Sequence, residues 1–198
     1  VIAVIDYKAG NLTSVIKALR AVEAHPQVTE DPEVVRRASK IVLPGVGHFS
    51  GTAFLEQHGL KQAIAERVAE GVPLLGICVG LQWLYQGSTE APDAPGFGFF
   101  PAMCSRFEGG GKVPHVGWNA IAVKEGSRLL ASVPDGSFVY FTHSFRAPVT
   151  AETVGTTEYG GAFTAAAERD HVMGVQFHPE KSGVTGLRIL RNFVEIPC

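Results

Sequence analysis

The sequence is poor in the residues that would staple a chain, anchor it in a bilayer or draw it to a polyanion. It has three cysteines in 198 residues. Cys78, Cys104 and Cys198 lie too far apart for CxxC pairs or a readable disulfide framework, and such sparse usage fits a reducing, cytoplasmic setting. Lysine plus arginine (17) nearly balance aspartate plus glutamate (19), for a net charge of −2. No long Lys/Arg block occurs, so non-specific nucleic-acid or membrane binding has no electrostatic support. The first apolar run, Val1 to Ile5, meets a charge at Asp6; it is too short for a signal peptide or membrane span and reads as a strand. Internal repeats and low-complexity tracts are missing, and no linker is long enough to separate domains. His25, His48, His58, His115 and His171 show no metal-ligand spacing, so no cofactor or metal is expected. Gly109-Gly-Gly-Lys112 lacks the spacing of a phosphate loop and precedes Pro114 where a helix should open; it reads as a flexible hairpin loop. What is present is ordinary for a globular protein: 45% hydrophobic and 18% charged residues, at a length that suits one domain.

The first half alternates short β-branched runs with helical periods. Val1–Ile5 is a strand. Leu12, Val15, Ile16, Leu19 and Val22 recur at helical spacing, so Asn11 or Thr13 opens a helix running to about Ala24. Gln27–Thr29 reads as a short strand, Pro32–Ala38 as helical turns, and Lys40–Leu43 as a strand closed by Pro44-Gly-Val-Gly47. A helix over Leu60–Ala69 is stopped by Gly71 and Pro73, and another strand follows. This alternation predicts a doubly wound α/β fold with a mostly parallel, mixed sheet flanked by helices. The second half adds a small antiparallel region. Ser88–Phe100 is loop with at most a short strand. Met103–Phe107, Trp118–Val123, Phe138–Thr142, Thr153–Glu158 and Phe163–Glu168 are rich in β-formers. His171–Phe177 returns as a strand, and Thr185–Val194 is a final helix.

The chemistry centres on Pro73-Leu-Leu-Gly-Ile-Cys78-Val-Gly-Leu-Gln82, an apolar strand running into an apolar helix. Gly76 and Gly80 flank the cysteine in the G-x-nucleophile-x-G pattern of a nucleophile elbow. A sharp strand-to-helix turn leaves no room for side chains at those two positions, and it places the sulfur at a helix N-terminus, where negative charge is favoured. Alone, the pattern fits a nucleophile and a buried structural cysteine equally well. Cys104 and Cys198 have no such setting and read as bystanders. At the end of the last strand, His178-Pro-Glu180 supplies a base and a carboxylate to orient it. Two residues apart in an extended segment, both side chains point to one side. Strand ends of an open α/β sheet share one crevice, so Cys78 and His178 can meet there. Pro44-Gly45-Val46-Gly47 ends another strand and offers backbone N–H groups for an oxyanion. The N–H of Val79 is one donor, and that of Val46 or Gly47 the second.

Gly-Ile-Cys-Val-Gly-Leu-Gln at 76–82, His-Pro-Glu at 178–180 and Pro-Gly-Val-Gly at 44–47 together resemble the triad-type, class I glutamine amidotransferase family over nearly the whole chain. The resemblance implies that Cys78 attacks the side-chain amide of glutamine to give a γ-glutamyl thioester and ammonia. It implies that His178 moves the protons and Glu180 orients it. Gln82 matches a substrate-contacting glutamine, Gly47 a glycine of the oxyanion strand, and Ser144 and Phe145 the segment that meets the amino-acid end of the substrate. Within the family, Lys-Val-Pro-His-Val-Gly-Trp-Asn at 112–119 is similar to a marker of the glutaminase subunits of imidazole glycerol phosphate synthase. Asp6-Tyr, Gly10-Asn-Leu12, Leu81 and His-Pro-Glu-Lys-Ser at 178–182 agree, whereas Lys8 stands where a small residue is expected. That resemblance implies a heterodimer with a TIM-barrel cyclase, with ammonia passing through the barrel. Asn11, Trp118, Tyr140 and Lys181 would face the cyclase from loops beside the crevice. For Trp118 and Tyr140 core packing is the alternative, and for Lys181 an ordinary solvated charge. The glutaminase of an anthranilate or aminodeoxychorismate synthase, a free-standing γ-glutamyl cysteine hydrolase and a binding module with an idle triad are the competing functions. A glycine-flanked peptide at 45–47 flips at little cost, and such a flip would let a partner switch the oxyanion site.

Overall fold

The computed structural model describes residues 1–8, 11–108 and 111–197. The Gly109–Gly110 part of the expected hairpin, Gly10 and Cys198 lie outside the described residues. The first half contains β1 (Ile2–Ile5), α1 (Leu12–Ala21), β2 (Pro26–Thr29), α2 (Pro32–Arg36), β3 (Lys40–Leu43), α3 (Ala53–Gln57), α4 (Leu60–Ala69), β4 (Leu74–Ile77) and α5 (Val79–Leu84). The second half adds β5 (Gly87–Ser88), β6 (Met103–Arg106), β7 (His115–Ala120), β8 (Ala122–Val123), β9 (Phe138–His143), β10 (Phe145–Arg146), β11 (Thr153–Glu158), β12 (Ala162–Arg169), β13 (Val172–Val175) and α6 (Gly183–Glu195). Two 3₁₀ turns, Phe49–Thr52 and Pro179–Lys181, complete the elements.

The main sheet has the order β2-β1-β3-β4-β13-β12-β11-β8. It is parallel from β2 through β13 and antiparallel beyond. Every residue of β1, β3, β4 and β13 is buried, as apolar runs require when a strand is covered on both faces; the charged exception, Lys40, donates to the Ile196 carbonyl. The chain steps from β1 to β2 in one direction and from β3 to β4 in the other. Right-handed crossovers therefore put α1 and α4 on opposite faces. α1 contacts α6, and α4 contacts α2, so each face has its own helix layer. The order reverses between β1 and β3, and the carboxyl ends of β3, β4 and β13 open beside that switch point. Two smaller sheets sit over this end: β10-β6-β5, and the antiparallel ribbon β7-β9. Among the described residues no helix is long and apolar enough to cross a membrane.

The differences from expectation have local causes. The first helix ends at Ala21 rather than near Ala24 because Glu23 takes a φ of 64°; its start is settled by Asn11, whose side chain accepts the Ser14 N–H. The expected strand 118–123 is two strands serving different sheets, with β7 paired to β9 and β8 to β11 around buried Ile121. Phe49–Gln57 is helical without an apolar period to announce it; the His48 side chain accepts the Ser50 N–H at its start.

Close approach of elements depends on a few glycines. Gly76 and Gly174 sit opposite each other across β4 and β13. A Cβ on Gly174 would lie 2.4 Å from Leu81 Cδ1 and 3.2 Å from its Cβ, so α5 rests directly on the sheet. Gly186 does the same for the turn that follows β13: its Cβ would lie 1.9 Å from the Pro179 carbonyl oxygen, with backbone atoms all around. Because backbone cannot swing aside as a side-chain tip can, Gly186→Ala is expected to lower stability by about 1–3 kcal/mol. A reduced urea midpoint checks this, and an unchanged midpoint would show that the helix and the turn are not locked together.

Candidate active site

The elbow has the geometry that its glycines predict. Cys78 carries φ 54° and ψ −109°, a region that residues with a side chain rarely occupy. It is pinned on both sides: its N–H donates to the Val175 carbonyl at 2.8 Å, and its carbonyl accepts the Gln82 N–H at 3.1 Å. A Cβ on Gly76 would lie 2.6 Å from the Gly80 carbonyl, and one on Gly80 would lie 2.0 Å from the Leu43 carbonyl. Gly45, at the exit of β3, is equally tight, 2.3 Å from the Tyr7 hydroxyl and 2.9 Å from Gly80 N. Gly47 is different: a Cβ there meets nothing, but its φ of 97° favours glycine.

A cavity of about 270 Å³ opens over the sulfur. It is lined by Cys78, Val79 and Gln82 from the elbow, by Val46 and Gly47 from the exit of β3, and by Thr142, Ser144 and Phe145 from the end of β9 and the residues beyond. Every residue expected at the oxyanion site or on the substrate is thus on one wall or another of a single cavity.

His178 and Glu180 meet, though by another route than an extended segment. β13 ends at Val175, and Pro179 starts a 3₁₀ turn that folds Glu180 back on the ring. His178 Nδ1 and Glu180 Oε1 are 2.8 Å apart, both side chains buried. The backbone there is tied to β9: the His178 N–H donates to the Tyr140 carbonyl at 2.9 Å. Ser182 Oγ bridges the two segments, donating to the His178 carbonyl and accepting the Tyr140 N–H. His178 Nε2 is buried and makes no hydrogen bond of ordinary geometry, yet the sulfur is near enough to act on the ring. Burial pulls the imidazole down, but Cys78 and Glu180 outweigh it and push it up to about 10.

A second polar group is less visible in the sequence. Gln82 Nε2 donates to the Phe145 carbonyl at 2.9 Å and to Gln176 Oε1 at 3.1 Å. Gln176 Nε2 lies 3.6 Å from Cys78 Sγ. The Phe145 carbonyl also accepts from His143 Nδ1 at 2.9 Å, and His143 Nε2 faces His115 Nδ1 at 3.0 Å. Burial drives both rings down, His115 to about 4 and His143 to about 3, so the pair is neutral. Phe107, Phe141 and Phe163 pack against them. Nothing in Gln176-Phe-His178 marks the glutamine as a neighbour of the sulfur, and no spacing links residue 115 to 143. Only the β7–β9 register brings that pair together.

Trp118, Tyr140 and Lys181 also come together. Trp118 and Tyr140 are cross-strand partners on the ribbon, not loop residues, with ring centroids 6.0 Å apart. Lys181 Nζ lies 5.8 Å from the Tyr140 centroid. Trp118 is 55% exposed, beside Val116 at 56% and Phe138 at 60%, which removes core packing as its role; Tyr140 is half-buried. Asn11 stands apart as the cap of α1, a helix that touches the 179–181 turn. Cys104 is fully buried, and burial pushes its thiol up, as suits an inert side chain.

The chain has clear relatives. The family model for glutamine amidotransferase class-I matches residues 3–196. The imidazole glycerol phosphate synthase subunit HisH of Methanothermobacter thermautotrophicus is 46% identical over 196 residues, covering 98% of each chain. The subunit of the same name from Thermococcus kodakarensis is 46% identical over 198 residues, covering 97% of this chain and 98% of its own. A crystal structure of a glutamine amidotransferase aligns with a TM-score of 0.78 over 98% of this chain and 97% of its own, at 20% identity, a likeness of fold alone.

The raised value of His178 has a consequence for stability. Its protonation stabilises the fold fully below the ordinary value of 6.5 and ceases to do so as pH rises through about 10. Glu180→Gln removes part of that upward push. The stability gap between the unmodified chain and this variant is therefore expected to be widest near pH 6 and to narrow toward pH 10, as read from urea midpoints. A gap that widens with pH would mean the ring is neutral in the folded chain.

Proposed function

We infer that this chain, which belongs to the class I glutamine amidotransferase family, is the glutaminase subunit of imidazole glycerol phosphate synthase. The observation that carries this reading is that Cys78 meets Val46, Gly47, Val79 and Gln82 at one cavity, with the hydrogen-bonded His178–Glu180 pair acting on its sulfur from behind that wall. In this reading the Cys78 sulfur attacks the carboxamide carbon of L-glutamine. Negative charge builds on the carbonyl oxygen, and backbone N–H groups of Val79 and of Val46 or Gly47 stabilise it. The protonated His178 gives its Nε2 proton to the amide nitrogen, which leaves as ammonia and a γ-glutamyl thioester on Cys78. Water then attacks the thioester, His178 takes its proton, and glutamate departs with the sulfur regenerated. Glu180 holds the ring through Nδ1 throughout. Both amide protons of Gln82 are engaged internally, so its oxygen is what it offers the ammonium of the substrate. Ser144 and Phe145 line the same cavity.

The relatives are named as synthase subunits, and the 112–119 segment matches the marker of those subunits. The partner in this reading is a TIM-barrel cyclase that receives the ammonia, and the complex works in the cytoplasm. Its footprint is the exposed face of the ribbon with Trp118 and Tyr140, together with Lys181 and Asn11. Three exposed apolar side chains in register on one ribbon face are more than scattered surface residues require.

The reading separates two activities of one complex. Cys78→Ser, assembled with the cyclase, is expected to lose glutamine-dependent product formation while keeping formation supported by added ammonium salts. Loss of both would contradict the division of labour. Full glutamine turnover by the purified chain without a partner would favour a free-standing hydrolase instead.

A further inference from the structure

We propose that Gln176 is a hydrogen-bond donor to the nucleophilic sulfur, held in that role by a chain of hydrogen bonds whose direction only one amide arrangement satisfies. The proposal rests on the reading of Cys78 as the nucleophile. It concerns a residue that the triad and the oxyanion site leave without a task.

The direction follows from the Phe145 carbonyl, which can only accept. Gln82 must therefore turn its NH₂ toward it, at 2.9 Å. That same nitrogen lies 3.1 Å from the Gln176 side chain, so Gln176 must present its oxygen. Its NH₂ is then left for Cys78 Sγ, at 3.6 Å, a normal separation for a donor to sulfur. Flipping either amide would set two acceptors or two donors face to face in a buried site, where each unmade bond is costly. Gln176 is wholly buried and Gln82 nearly so. The Thr142 carbonyl, at 4.0 Å from the sulfur, can receive a thiol proton but cannot stabilise a thiolate. Gln176 therefore favours the charged nucleophile and fixes its position, while His178 remains available to the leaving group.

The chain continues outward. His143 Nδ1 donates to the same carbonyl, so its Nε2 accepts from His115 Nδ1, whose Nε2 accepts from Asn119 Nδ2 at 3.3 Å. Both rings must be neutral for this to hold, and burial keeps them so. The Phe145 carbonyl is thereby fixed from two sides.

Other titratable groups around the sulfur are His178 and Glu180 beyond β13, Tyr7 beyond β1, His143 on β9 and Glu90 in the cavity wall. The substitutions below touch none of them. The test uses the chain with a cyclase partner for turnover and the chain alone for alkylation. Gln176→Met keeps the volume and removes the donor; Gln176→Glu keeps the shape and puts a carboxylate beside the sulfur. With Gln176→Met, glutamine-dependent kcat is expected to fall about tenfold or more, as for loss of a bond to a charged group, with KM changing less than kcat. The pH midpoint for iodoacetamide alkylation, followed on the Cys78 peptide by mass spectrometry, should move up, and further up in Gln176→Glu. Unchanged midpoints in both variants, or a rise in KM alone, would overturn the proposal. A purely structural role would lower the urea midpoint and leave the alkylation midpoint in place, which also overturns it. Turnover that survives in Cys78→Ala would show that the reading of the nucleophile has failed, a result distinct from any given by the Gln176 variants.

Discussion

The candidate active site depends on one backbone conformation, that of Cys78. A side-chain-bearing residue at φ 54° costs roughly 1–3 kcal/mol, a substantial fraction of the 5–15 kcal/mol by which a domain is stable. The surroundings hold it there. Val175 and Gln82 bond its two peptide groups, and Gly76, Gly80 and Gly45 let the next strand and helix close to distances no Cβ would permit. Gly174 extends the same condition to β13, the strand that delivers His178. The strain aims the sulfur into the cavity, and the glycines let three strand ends converge on it.

The β7–β9 ribbon links this centre to the protein surface. Residues on one of its faces, Val116, Trp118 and Phe138, are exposed, while His115, Phe141 and His143 on the other are buried. His143 braces the Phe145 carbonyl that orients Gln82, and Tyr140 bonds the His178 backbone. A partner covering the outer face would thus press on a two-stranded element that holds both arms of the site. That would give a short mechanical route from the exposed ribbon face to the sulfur without any long-range rearrangement.

Much of this was legible in the sequence because its causes are local. The four-residue apolar runs are strands for want of any exposed face, and the glycines at 76 and 80 are demanded by a turn between adjacent elements. Gly-Ile-Cys-Val-Gly, His-Pro-Glu and Pro-Gly-Val-Gly each sit at a strand end, so parallel topology alone brings them together. What was hidden depends on register and on turn geometry. The His115–His143 pair exists because of how two strands align across an intervening loop. The His178–Glu180 contact comes from a 3₁₀ turn rather than an extended segment, since Pro179 favours a helical start. Gln176 is invisible because its amide gains meaning only from Gln82, ninety-four residues away. The single strand expected at 118–123 is two because buried Ile121 marks a change of sheet, which no alternation pattern records.

The central claim is that Cys78 carries the glutamyl group during turnover. Its most direct test is acid-quenched mass spectrometry of the complex with its cyclase, sampled while it consumes glutamine. The account predicts a glutamyl adduct on the Cys78 peptide that disappears when glutamine is exhausted. Sustained glutamine turnover with that peptide unmodified, or with the adduct on another residue, would contradict it.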